Sequence, residues 1–306
     1  VVALSAIPSG WPVGINVVVA VAAAAAMGVV VGLITGQTLP VMADASGARA
    51  GSVGVSAPNR SAPVLALKFA WTAISCFVVE SAVFGLAALP ATVFYQWHFA
   101  LELGPRPLRL FLLAAAFIPA YAIFALLFMA LSAETARLLG WRPPTTAELR
   151  IAELPKGLRN WARYSIMSHL VHVLVGVFFR STPVWVWYMR RNGATIGKHV
   201  WVNSLQVGDD CLLDLGDEVV IGAGVHLSGH TVEHGMLRLA PVTLGAGTTV
   251  GLGTHVGIGV TTGPGVQIAS MSVVPKHARL EADTTYAGIP VRPIDPPDHN
   301  PENQRP

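Results

Sequence analysis

A chain of 306 residues has room for two ordinary domains, yet only 12% of its residues are charged, where a soluble domain carries roughly a quarter, and its mean hydropathy is +0.55. That balance argues against a wholly soluble protein. A net charge of +3, much of it beside the apolar segments, points to no nucleic-acid partner. Two cysteines, Cys76 and Cys211, suggest no disulfide framework.

The apolar surplus lies in the first half. No Asp, Glu, Lys or Arg precedes Asp44. A membrane span needs about 20 mostly apolar residues, and three stretches meet this: Val13–Thr35, Phe69–Trp97 and Leu110–Ala133. The first lacks a basic leader and an initiator Met, so it reads as a span of a chain cut from something longer rather than as a signal peptide. The second contains one charge, Glu80, which costs about 2.5–3.5 kcal/mol at a span centre by insertion scales and is assigned no role. Gln37–Pro63, rich in Gly, Ala and Ser, reads as a linker.

Lys and Arg set the expected orientation. The linker carries Arg49 and Arg60, with Lys68 just beyond its end, and Arg137, Arg142, Arg150, Lys156, Arg159 and Arg163 follow the third span. The positive-inside rule places both groups, and the C-terminal half, in the cytoplasm of a multi-pass protein of the bacterial cytoplasmic membrane. Tyr164–Phe179 has 16 residues before Arg180 and includes His169 and His172, so it is expected to lie at the interface rather than to span. The aromatic and basic "STPVWVWYMRR" that follows suits the headgroup boundary.

From Gly193 the texture becomes periodic. Written in sixes from Leu244, the chain reads "LGAGTT VGLGTH VGIGVT TGPGVQ IASMSV VPKHAR". The lead residues are Leu244, Val250, Val256, Thr262, Ile268 and Val274. Leu215, Ile221 and Leu227 hold the same register upstream, and Ile196 begins one more six in an earlier coil, Ile196–Asp214, that has an extra residue. Hexapeptide repeats fold as a parallel β-helix, a prism with one short strand per face and the lead residue pointing inward. The Gly after each lead residue is expected to accommodate the turn. Glu233–Thr243 breaks the count as an eleven-residue insertion, of the kind that builds a binding surface on a solenoid. The expected organisation is a membrane domain (1–150), a connecting interfacial segment (151–192), the β-helix (193–294) and a polar, Pro-rich disordered tail (295–306).

Ile196–Ile294 resembles the hexapeptide-repeat acyltransferases, which are left-handed parallel β-helices. The likeness rests on "SGHTVEH", "APVTLG" and "YAGIPVRPI". It implies that the loop histidine, His230, is the catalytic base, that the donor is a thioester bound along the later coils, and that the protein is a trimer with sites between subunits. A narrower resemblance, on "TPVWVWYMRRNGATIG" and "IGAGVHLSGHTVEHGMLRLAPVTLG", is to the membrane-bound terminal module of nonribosomal peptide synthetases of the ε-poly-lysine synthetase type. It implies an aminoacyl thioester on a carrier domain as donor, an amine as acceptor, adenylation and carrier domains in the same or another chain, and a homotrimer or a tandem pseudo-trimer.

Thioester-to-nucleophile transfer needs a neutral imidazole to take the acceptor's proton and a donor for the oxyanion. It needs no covalent intermediate and no bound cofactor, so Cys211 is expected to serve packing. Beside His230, Glu233 is the expected orienting or acceptor-holding acid, and His234 the alternative base. Asn203, Gly229, Arg238, Gly253 and Gly288 are the candidate substrate-binding residues. Arg238 stands where the sugar acetyltransferases carry an acid, which favours an acceptor other than a sugar. His226 and His255 fall at the sixth position of their hexads and are expected at the surface. The competing classes are a non-catalytic assembly scaffold and a zinc-dependent carbonic-anhydrase-like protein using the histidines.

Overall fold

The computed structural model describes residues 62–101 and 104–294. The candidate span 13–35, most of the linker and the tail from 295 lie outside the described residues. The chain forms two compact units, residues 1–82 and 83–306. The described part of the first is 62–82, the opening of helix α1 (Ala62–Ala100).

In the second unit the rest of α1 packs on α2 (Arg106–Leu138), with Phe84 set edge-on to Phe124 at 5.2 Å. α2 stops because Gly140 takes a left-handed φ of +62°, returning its N–H to Arg137 while Trp141 N–H reaches Ala136, which satisfies the last carbonyls. A strand, β1 (Ala147–Arg150), follows. Next is α3 (Lys156–Val171), which continues through a π-turn (His172–Gly176) to Phe179. α3 runs antiparallel to α2: Asn160 bonds the carbonyl of Gly140, and Tyr121 that of Leu174. The segment expected to have 16 residues is therefore part of a helix of 24, Lys156–Phe179, because its basic first turns are helical too. It is long and apolar enough to cross a membrane, as are Pro63–Ala100 and Arg106–Leu138. Helix α4 (Pro183–Asn192) is capped by Thr182, whose hydroxyl accepts from Trp185 N, and closes on Gly193 at φ +119°.

The repeat forms a three-faced parallel prism. One face stacks β2 (Thr195–Ile196), β4 (Leu213–Leu215), β9 (Val242–Leu244), β12 (Thr261–Thr262) and β15 (Arg279–Leu280). The second stacks β3 (Trp201–Val202), β5 (Val220–Ile221), β10 (Thr249–Val250), β13 (Gln267–Ile268) and β16 (Thr285–Gly288), ending in β17 (Val291–Ile294), which is antiparallel to β16. The third stacks β6 (His226–Leu227), β11 (His255–Val256) and β14 (Val273–Val274). The lead residues Leu215, Ile221, Leu227, Leu244, Val250, Val256, Thr262, Ile268 and Val274 are all buried.

The glycines divide their work differently from the expectation. Those after the lead residue are needed for close approach between coils: a Cβ on Gly251 would lie 2.5 Å from Ser270 N. The left-handed turn falls two residues later, where Gly253 has φ +67° and Met271 the same conformation in the next coil. A side chain is tolerated at the corner because it points outward, whereas backbone against backbone leaves no room for one.

The insertion leaves the prism as a hairpin, β7 (His230–Glu233) and β8 (Met236–Leu239), and β1 pairs with β8 to make a three-stranded sheet. The extrusion thus begins at His230 itself, three residues earlier than the count suggested, because His230–Glu233 pair with the returning strand instead of continuing the coil. Leu237 and Leu239 pack with Leu158 of α3 and Leu212, and Trp161 joins this cluster.

Candidate active site

His230 sits at the root of the hairpin, paired with Leu239. Its Nδ1 lies 2.5 Å from Oδ2 of Asp209 and 2.8 Å from the hydroxyl of Ser228, and Ser228 itself donates to Asp209 Oδ2 at 2.9 Å. The indole N–H of Trp161 donates to the other oxygen, Asp209 Oδ1, at 3.0 Å, and the Trp161 ring stands edge-on to His230 with centroids 4.8 Å apart. A carboxylate can only accept, so Nδ1 carries the proton and Nε2 is left with its lone pair. Asp209 is 4% exposed, whereas about a third of the His230 side chain is open to solvent.

Asp209 owes its place to an irregularity in the repeat. Val207 bridges Leu227 on the next coil, and the chain then takes more than the usual six residues to reach Leu215, passing through a short 3-10 turn at Asp210–Leu212. Asp209 adopts a left-handed φ of +56° in this corner and comes within hydrogen-bond reach of Ser228 and His230, on either side of Gly229. Gly229 must lack a side chain, since a Cβ would come 2.6 Å from Leu212.

The electrostatics favour a charged carboxylate here. Burial pushes the Asp209 carboxyl up. The bond to His230 and its charge, with the bonds from Ser228 and Trp161, outweigh burial and hold it below the usual carboxylate range. Its neighbour Asp210, fully buried, is pushed by burial up to about 6 and accepts from Asn192 Nδ2 at 2.8 Å. Burial lowers His226, followed by the charge of His255 and of His230.

The other expected site residues fall in different places. Side chains alternate along a strand, so Glu233 and Arg238 point to the face of the hairpin opposite His230. There Glu233 pairs with Lys276 and with Arg238, and Arg238 lies 3.3 Å from Glu148. Asp209, not Glu233, is the acid that orients His230. His234 is at the exposed tip of the hairpin with φ +49°, about three strand residues or roughly 10 Å or more from the root. Asn203 accepts from Ser181 at 2.6 Å. Gly253 occupies a positive-φ turn of a later coil, and Gly288, at φ +102°, ends β16 opposite Val291 of β17.

His226 and His255 stack on the outer face at 4.7 Å, as their hexad position implied. Among the described residues no three His, Cys, Asp or Glu side chains gather as a metal-ligand set. Cys211 is half-buried, its thiol pushed up to about 12 by burial, which suits packing. Sequence reasoning missed Asp209, Ser228 and Trp161. The extra residue in the first coil was the one signal for Asp209, since an uneven corner is where a side chain is re-aimed.

Neither a protein-family model nor a curated protein sequence matches the chain. Among solved structures it is similar to a hexapeptide-repeat acetyltransferase from Vibrio cholerae O1 biovar eltor complexed with acetyl coenzyme A. The identity is 23% over 34% of this chain, which spans 60% of that one, with a TM-score of 0.31. It is also similar to a galactoside acetyltransferase in complex with coenzyme A (22% identity, 44% of this chain, 81% of that one, TM-score 0.35). A third is a serine acetyltransferase in complex with cysteine (18% identity, 72% of this chain, 80% of that one, TM-score 0.29).

Proposed function

We propose that the protein is a membrane-bound acyltransferase that moves an acyl or aminoacyl group from a thioester, on coenzyme A or a carrier domain, to an amine or hydroxyl. The observation that carries this reading is the Asp209–His230 pair at the root of the inserted hairpin, with Nδ1 held against the carboxylate at 2.5 Å and Nε2 free to accept a proton. In the reaction Nε2 removes the acceptor's proton as its N or O attacks the thioester carbonyl. The tetrahedral intermediate then collapses, the C–S bond breaks, and the proton passes to the departing thiolate. Asp209 stabilises the imidazolium formed in between and keeps the ring in the productive tautomer.

The membrane part of the proposal rests on Pro63–Ala100 and Arg106–Leu138, both long and apolar enough to cross a bilayer, with the Lys156–Phe179 helix, also long enough, read as lying at the interface. It rests also on the outer face of the Lys156–Phe179 helix, where Ile166, Val173, Val177 and Phe178 are exposed. The same reading makes the prism a left-handed β-helix that works as a homotrimer or tandem pseudo-trimer. It acts as the terminal part of a peptide synthetase whose adenylation and carrier domains lie in the same or another chain.

Thioester consumption tests the chemistry. The full chain in detergent is given acyl-coenzyme A and carrier-bound aminoacyl thioesters, with a panel of amines and sugars as acceptors. Acceptor-dependent release of free thiol is the expected result, larger with amines. No release with any donor overturns the reading. Reporter fusions after Ala133 and after Ile294 test the topology. Both are expected to report cytoplasm, and an external signal at Ile294 means that the Lys156–Phe179 helix crosses the bilayer.

A further inference from the structure

The corner Val207–Cys211, which carries the dyad carboxylate, is held from outside the repeat. His172 Nε2 lies 3.2 Å from the Val207 carbonyl. Trp161 donates to Asp209 Oδ1, and Asn192 Nδ2 to Asp210 Oδ2. The Tyr164 hydroxyl accepts from Cys211 N at 3.1 Å and donates to the Asn192 carbonyl at 3.0 Å. Ser168 completes the set, 3.4 Å from Asn192 Nδ2. Trp161, Tyr164, Ser168 and His172 follow one another at spacings of three, four and four, so they form one face of a helix. A single helical face thus grips the corner on which Asp209 sits, bonding Val207, Asp209 and Cys211 in turn.

We infer that Trp161 is a positioning residue of the Asp209–His230 dyad, and that this face of α3, outside the hexapeptide repeat, completes the active site. The two oxygens of Asp209 are divided: Oδ2 serves His230 and Ser228, and Oδ1 serves Trp161. A hydrogen bond at Oδ1 draws negative charge away from Oδ2. Trp161 therefore moderates how strongly Asp209 stabilises the imidazolium. Its ring, edge-on to His230, also fixes the imidazole plane. The other titratable groups whose charge the pair feels are Asp210 and Cys211 in the same corner and His226 on the adjoining strand, while Tyr164 and His172 reach that corner from the helix. Glu233 and Arg238 point away on the far side of the hairpin. The inference depends on the acyl-transfer reading only for its kinetic readout.

The test is Trp161→Phe in the full-length chain in detergent, which keeps an aromatic ring and removes the N–H. Benzothienylalanine at 161 is the second variant, since it replaces the N–H by sulfur in a ring of nearly the same shape. Two quantities are read: the titration of His230 by nitrogen NMR of 15N-histidine-labelled protein, and the acid limb of the pH–kcat/KM profile for thioester turnover. With the N–H gone, more charge rests on Oδ2, the protonated ring is favoured, and both curves move to higher pH by roughly half a unit or more. Titration curves that superimpose on the parent's in both variants overturn the inference. A displaced His230 titration in a protein that turns over no thioester supports the positioning role and removes the acyl-transfer reading instead. Lower turnover with an unmoved acid limb and an unmoved titration makes Trp161 a packing residue, and the inference fails.

Discussion

His230→Ala lowers thioester turnover by about 10²–10⁴-fold, the usual worth of a general base. Thioester binding stays nearly unchanged, because the imidazole acts on the acceptor's proton and not on the donor's body. The measurement is thiol release at saturating donor, beside donor binding by the same purified protein. His226→Ala and His255→Ala serve as controls: these rings stack on the outer face of the prism and are expected to leave turnover at the parent level. His234→Ala belongs with the controls, since the tip of the hairpin is remote from Asp209. If His230→Ala retains full activity while His234→Ala loses it, the base is misassigned. If neither change matters in an active preparation, acyl transfer at this loop is wrong.

Asp209→Asn is expected to cost about as much, for a reason that concerns tautomers. Asp209 accepts from three donors: the Nδ1–H of His230, the Ser228 hydroxyl and the Trp161 indole. An asparagine of the same shape has one accepting oxygen. If that oxygen faces Trp161, the amide N–H faces Nδ1, the ring proton moves to Nε2, and the base is blocked. If it faces His230, the amide N–H and the indole N–H oppose one another. Either way the loss is on the order of 10²-fold or more in kcat. The double variant with His230→Ala is expected to be no worse than the poorer single one, because the two residues act as a unit. Additive losses in that comparison are the result that breaks the dyad.

A stability effect accompanies the kinetic one. The Asp209 carboxyl is held below its unfolded value, so its contribution is present above about pH 4 and fades as pH falls through the lower folded value. The melting temperature of Asp209→Asn is therefore below the parent's at pH 7, and the two converge toward acid.

How much of this was legible beforehand differs from element to element. The inward residues Leu215 to Val274 and their spacing of six were enough for the prism, because each coil repeats the same local problem: one apolar side chain in, one close backbone approach, one outward corner. The insertion was legible as a break in that count, and His230 as the histidine beside it. What the count assigned wrongly was the role of the glycine after each lead residue. Periodicity shows where a glycine recurs but not whether it is there for its φ or for the absence of its Cβ.

Asp209, Glu233 and Trp161 mark the limit. Glu233 is three residues from His230 and looked like its partner, but an antiparallel hairpin sends side chains an odd number apart to opposite faces. The hairpin's pairing is itself a tertiary outcome. Asp209 lies 21 residues away along the chain and reaches His230 because coils stack, and because the corner at Val207–Leu215 is longer than the repeat allows. Trp161 lies 69 residues away in a helix outside the repeat. Within a solenoid, sequence distance converts to spatial distance by a fixed period, so the sequence determined the prism, its buried residues and the site of the insertion. Between a solenoid and a helix no period applies. Which side chain meets the dyad was decided by the packing of Leu158, Leu212, Leu237 and Leu239, which docks α3 on the hairpin, and only the tertiary structure contains that information.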